Sequence, residues 1–118
     1  MWYHFRYMEI VSFDDFKKLD LRIGTVVDVQ AIEGADKLWK LTIDLGPEDP
    51  ARTIAAGVKE YYGADELLGK QVPIVANLEP RVLKGTESQG MVLMAVGEEN
   101  RPVLITPLHT VPRGTVIR

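Results

Sequence analysis

From Leu21 to Ala31 the chain alternates, with Leu21, Ile23, Thr25, Val27, Val29 and Ala31 on one side and Arg22, Gly24, Val26, Asp28 and Gln30 on the other. A period of two cannot put one face of a helix against a core, because helical faces repeat every 3.6 residues. It predicts a long strand with one buried face. Gly24, lacking a side chain, gives that strand a place to bend sharply.

The segments around it are short and of mixed kind. Ser12 is an N-cap residue ahead of Phe13, Phe16 and Leu19, whose spacing predicts a short helix. After a turn at Glu33–Asp36, Leu38–Leu45 reads as a second strand with Trp39, Leu41, Ile43 and Leu45 inward. The Gly46–Pro50 loop leads into a third strand, Arg52–Ala56. Residues 63–69 read as one or two helical turns stopped by Gly69. Gln71–Asn77 is a fourth strand, in which Pro73 implies an edge or a bulge because it cannot donate to a ladder. Met91–Val96 is apolar on both faces, as a central fifth strand would be.

Three strands, a short helix and two more strands make an all-β chain with short helices. The order matches the OB-fold, a five-stranded Greek-key barrel whose sheet face and loops bind oligonucleotides and oligosaccharides. Another small barrel or a β-sandwich explains the helix between the third and fourth strands less well. Further apolar segments at Val103–Thr106 and Val111–Ile117 exceed what five strands need. Such extra C-terminal strands cover the barrel or pair with a second subunit, and a symmetric dimer is expected.

At 118 residues the chain fits one domain over residues 9–118. Residues 1–8, with alternating Trp2, Tyr3, Phe5 and Tyr7, read as an upstream extension or a start-site artefact rather than as a base-stacking strand. They have no hydrophobic signal region, and no apolar run reaches membrane-spanning length, so a cytoplasmic location is expected. The chain has no cysteine, and its two histidines, His4 and His109, lie far apart, so neither a metal site nor a cofactor is expected. Net charge is −3, which argues against whole-surface binding of a nucleic-acid duplex. The acidic excess sits in residues 9–36, with seven acids against three bases, and the three stretches from residue 37 onward are each neutral. A local basic patch is therefore compatible with the balance.

The densest group of hydrogen-bonding residues lies between the last two barrel strands: Asn77, Arg81, Lys84, Ser88 and Gln89, running into Met91. Asn77 offers both a donor and an acceptor. Pro80 stiffens the bend from which Arg81 and Lys84 project, and Met91 offers a flexible apolar surface for a nucleobase. The Gly85–Gly90 interval imitates a phosphate loop, but Met91 and Val92 stand where Lys and Ser/Thr are required, so nucleotide hydrolysis is rejected. Ser88 has Thr86 rather than glycine two places before it and no histidine near in sequence, against a nucleophile elbow. Lys37 follows a turn aspartate. Arg22 and Arg52 each have Asp20 or Asp44 as an available partner, in pairs that contribute only about 0–1 kcal/mol at a surface. This is a gripping surface rather than a reactive one, and no enzyme activity is expected.

Taken as a set, Phe16–Gly24, Ala35-Asp36-Lys37-Leu38, Ala76-Asn77-Leu78 with Pro80, and Glu87–Met91 resemble the tRNA-binding OB domain. That domain ends methionyl-tRNA synthetases, forms their separate β subunit, and occurs as free-standing structure-specific tRNA-binding proteins. The resemblance implies a homodimer that holds the outer corner of folded tRNA with little sequence discrimination, alone or beside an aminoacyl-tRNA synthetase. It carries tRNA contact to Lys37, Asn77, Arg81, Ser88 and Met91, with Arg22, Arg52 and Lys84 as weaker members. Glu79 stands where the family commonly has Lys, and an acid there weakens phosphate attraction. Gly34 and Ala56 also depart from frequent family residues. Two other readings are a peptide-binding, chaperone-like dimer from a related branch and a synthetase docking module that scarcely touches RNA.

Overall fold

The computed structural model describes residues 9–118, so the expected N-terminal extension lies outside the described residues. Ser12 caps the first helix as expected, its hydroxyl accepting from the Asp15 N–H at 3.1 Å, and α1 (Phe13–Phe16) is one turn long. There follow β1 (Leu21–Ile32), β2 (Ala35–Asp44), β3 (Arg52–Ala56), α2 (Ala64–Leu67) and β4 (Gln71–Val75). The remainder holds β5 (Arg81–Leu83), β6 (Thr86–Ser88), β7 (Met91–Val92), β8 (Met94–Val96), β9 (Pro102–Leu104) and β10 (Thr115–Val116).

Five antiparallel strands in the order β3-β2-β1-β4-β7 wrap into a nearly closed barrel, the OB arrangement expected from the element order. Its axis of construction is β1. Leu21–Thr25 pair with β4 and Thr25–Ile32 with β2, so one strand serves both halves of the barrel. Gly24 sits where they meet, and a Cβ there would overlap Ile43 Cγ2. Only glycine lets β2 approach this closely.

The alternation of β1 does not run unbroken. A register shift between Val26 and Asp28 inserts a bulge, and the backbone of Val26 bonds instead to Lys70 O at 2.9 Å and Gly69 N at 2.8 Å. A bulge moves later side chains to the other face. The inserted residue is Val27, which is 40% exposed instead of inward as expected, while Val26 before it is buried. The bonds to Val26 also fix the end of α2, whose Leu67 lies fully inside the core. Leu41, Ile43, Ile54, Val72 and Ile74 complete that core from β2, β3 and β4.

Pro73 lies on a strand flanked on both sides rather than at a simple edge. Its carbonyl accepts from Leu93 N at 2.9 Å, and β7 pairs only with Ile74 and Val75. The ladder stops at the residue that has no N–H to give. The fifth strand also differs from the continuous central strand expected over Met91–Val96. It breaks after Val92, and β8 leaves the barrel to pair with β9, which exposes Ala95 and Val96.

Side chains complete the barrel where backbone does not. Between β3 and β7 the seam is closed by Gln89, whose N–H donates to Thr53 O at 2.7 Å and whose Oε1 accepts from Thr53 N at 3.0 Å. The C-terminal strands lie against the chain's own barrel. Tyr62 Oη donates to Pro102 O at 3.0 Å and accepts from Leu104 N at 3.3 Å. β10 pairs with β1, and Gln71 clasps Val111 through both amide groups, at 2.8 and 3.0 Å. No helix of the described residues is long and apolar enough to cross a membrane.

Candidate nucleic-acid interface

The segment between β4 and β7 is itself a two-stranded sheet: β5 and β6 pair with Arg81 opposite Ser88 and Leu83 opposite Thr86. Lys84 and Gly85 form the turn, with φ of 50° and 78°. Two consecutive positive values define the two-residue turn whose twist matches paired strands. The stiff connection expected from Pro80 is thus a hairpin, held at its base against β3.

That base is made by Ser88. It is only 6% exposed; its hydroxyl accepts from Ala55 N at 3.0 Å and donates to Gly90 O at 3.3 Å. Both capacities of the side chain are used inside the protein. Asn77 is more exposed but equally occupied. Its Oδ1 accepts from Asp20 N at 2.8 Å and its Nδ2 donates to Lys18 O at 2.7 Å, tying the entry of β1 to the exit of β4.

Arg22 is bound on three sides, by Asp20 at 2.7 Å, Asp49 at 3.2 Å and the Gly114 carbonyl at 3.3 Å. The Asp20 hydrogen bond holds its guanidinium even more firmly protonated than an ordinary arginine, against the opposing effect of partial burial. Of the two partners available in sequence it takes Asp20, together with Asp49. Arg52 takes neither acid; it donates to the carbonyls of Pro50 at 2.9 Å and Ala76 at 3.5 Å. These three residues brace loops at one end of the barrel.

The remaining candidates make no side-chain hydrogen bond or ion pair among the described residues. Arg81 and Met91 line an open groove of about 380 Å³ whose other wall is Ala55–Val58 and whose floor continues through Leu93 and Met94. Met91 is 45% exposed there. Lys84 reaches from the hairpin turn to a second cleft, of about 260 Å³, which it shares with Lys37 and the β1–β2 turn. Arg81, Lys84 and Lys37 make no ion pair among the described residues. The eight candidates therefore divide into a presented set (Lys37, Arg81, Lys84 and Met91) and a bracing set (Arg22, Arg52, Asn77 and Ser88).

Sequence reasoning missed the wall Ala55–Val58, which carries no chemical signature, and Lys59 beyond it. Lys59 donates its backbone N–H to Lys37 O at 3.2 Å, and its ammonium lies 5.0 Å from the Trp39 ring centroid. A lysine on an aromatic face close in sequence to this wall was legible only once the strands were aligned. Among the described residues no group of His, Cys, Asp or Glu is arranged to hold a metal ion.

Exposed cations beside an apolar groove can grip a polyanion with stacked rings. A family model described as a putative tRNA binding domain matches residues 21–116. The methionine–tRNA ligase of Pyrococcus horikoshii is 50% identical over 111 residues, which is 94% of this chain but only 15% of the ligase. A MetRS-related protein from Pyrococcus horikoshii superposes with a TM-score of 0.86 at 35% identity, covering 94% of this chain and all of that one. The chaperone CsaA of Bacillus anthracis gives 0.83 at 33% identity, over 93% of this chain and all of that one. The matched region opens with the first residue of β1 and ends with the last of β10, and the chain belongs to the putative tRNA binding domain family.

Proposed function

We propose that this chain is a non-catalytic module that binds folded tRNA by shape, gripping its outer corner as a homodimer in the cytoplasm, alone or beside an aminoacyl-tRNA synthetase. The observation that carries the reading is the presented set: Arg81 beside exposed Met91, with Lys84 and Lys37 on the neighbouring cleft, none of the three cations in an ion pair among the described residues. Cations carried by strands and a tight turn need no backbone ordering on binding, so the ordering cost is confined to their side chains. In this reading Arg22, Arg52, Asn77 and Ser88 keep the grip in shape from behind. Homodimerisation draws support from apolar residues left bare on the C-terminal segment, Val103, Ile105 and Leu108, and on α1 at Phe13.

Filter binding with folded tRNA, heat-unfolded tRNA and an unstructured peptide tests the reading. With roughly 3–5 phosphates contacted, log K against log salt is expected to fall with a slope of about −3 to −4. Folded tRNA is expected to bind more tightly than unfolded; equal affinity for both removes shape recognition. The likeness to a chaperone and the apolar groove walls favour a second reading, peptide binding, which wins if only the peptide is retained. Retention of none of the three leaves a docking module. Sedimentation equilibrium settles the dimer, for which twice the chain mass is expected.

A further inference from the structure

Glu79 is the residue least suited to a phosphate grip, and its position gives it a different use. It lines, with Arg81, a notch of about 70 Å³ walled by Leu78, Leu83 and Met91. The notch shares Arg81 and Met91 with the larger groove beside it, so a flat ring lying across the two has adjacent edges within reach of Glu79 and Arg81. Neither the carboxylate nor the guanidinium forms an ion pair among the described residues, with each other or with anything else. Opposite charges two residues apart that stay unpaired leave one bidentate acceptor and one donor fork on an apolar recess.

A phosphate satisfies only the arginine and is repelled by the acid. A nucleobase can satisfy both. Guanine presents N1–H and N2–H₂ side by side to a carboxylate, while O6 and N7 accept from a guanidinium. Adenine and cytosine each turn a ring-nitrogen lone pair towards the carboxylate beside their single amino donor, and uracil has one N–H between two carbonyls. Resting on the tRNA-binding reading above, we propose that Glu79 and Arg81 together read an unpaired guanine of the bound RNA, with Met91 carrying its ring. The acid then selects instead of merely repelling, and single-stranded RNA bases are read on their edges in this way.

Two measurements on the full chain test this. Titrating the ¹⁵N-labelled protein with GMP, IMP, AMP, CMP and UMP follows the amides of residues 78–91. GMP is expected to bind most tightly. IMP, which lacks the N2 amino group, is expected to lose about tenfold, as for one good base-edge pair. Glu79→Gln, which keeps size and shape, is expected to make GMP and IMP nearly equal. Equal binding of all five nucleotides, or no shift with any, overturns the proposal. In the second measurement Glu79→Gln is expected to weaken folded tRNA several-fold with an unchanged salt slope. A gain in affinity instead shows that Glu79 only repels phosphate, and overturns it too. If wild-type tRNA binding and its loss in Arg81→Ala persist while nucleotide preference is absent, the guanine reading falls and the tRNA reading stands. Absence of all RNA binding removes both.

Discussion

Asn77 and Arg81 are four residues apart and were indistinguishable as candidates in the sequence, since each carries donors on a short segment between strands. Their partners separate them. Asn77 closes two hydrogen bonds to the backbone at Lys18 and Asp20, so Asn77→Ala leaves a donor and an acceptor on the β1 entry without protein partners. The expected loss is about 1–2 kcal/mol, read as a lower denaturation midpoint at unchanged slope. The Arg81 side chain closes none among the described residues, and Arg81→Ala is expected to leave stability within about 0.5 kcal/mol while weakening tRNA binding. A stability loss in Arg81→Ala as large as that of Asn77→Ala would return Arg81 to the bracing set. Ser88 makes the same point more sharply. Its hydroxyl is legible as polar, but that it caps the edge of β3 depends on Ala55, 33 residues earlier in the chain, which no local pattern reports.

At the scale of elements, β1 and the hairpin show where patterns inform and where they stop. Periodicity located β1 and its Gly24, because alternation is a property of neighbouring residues. It missed the Val26 bulge, where Gly69 and Lys70, just after α2, bond the Val26 backbone from outside the strand. The hairpin was read as a stiff bend, since its strands are three residues each, too short for alternation to register. Its turn places Lys84 at φ 50°, where asparagine is favoured over lysine. Lys84→Asn therefore separates backbone from charge: the hairpin is expected to gain a few tenths of a kcal/mol while tRNA affinity and the salt slope fall. Gly85→Ala does the opposite. A Cβ meets nothing there, but φ of 78° is strained for alanine and is expected to cost about 1 kcal/mol with the charge intact. If only Gly85→Ala loses tRNA binding, the turn shape matters and the Lys84 charge does not.

On the scale of the whole molecule, the barrel is completed by a C-terminal segment that the sequence marked as surplus apolar strand. Its attachment is polar: Gln71 holds Val111, Ile23 O accepts from Gly114 N at 2.7 Å, and Arg113 donates to Asp44 at 2.6 Å. The Arg113 hydrogen bond, then the Gly46 N–H, hold the Asp44 carboxyl below the usual carboxylate range. A carboxyl that binds protons less readily folded than unfolded adds stability that is fully present above its unfolded value, about 3.9. That contribution disappears as pH falls through the lowered folded value. Hydrogen-exchange protection factors at Gly114 and Thr115 are accordingly expected to stay level down to about pH 4 and then fall, ahead of those in the β2 core. Asp44→Asn keeps the Gly46 contact but removes the titration, so its tail protection should be lower at neutral pH and level across the acid range. A wild-type profile that stays level to pH 2, or an Asp44→Asn profile with the same acid step, would assign the fastening of the tail to Gln71 and the β1–β10 ladder alone.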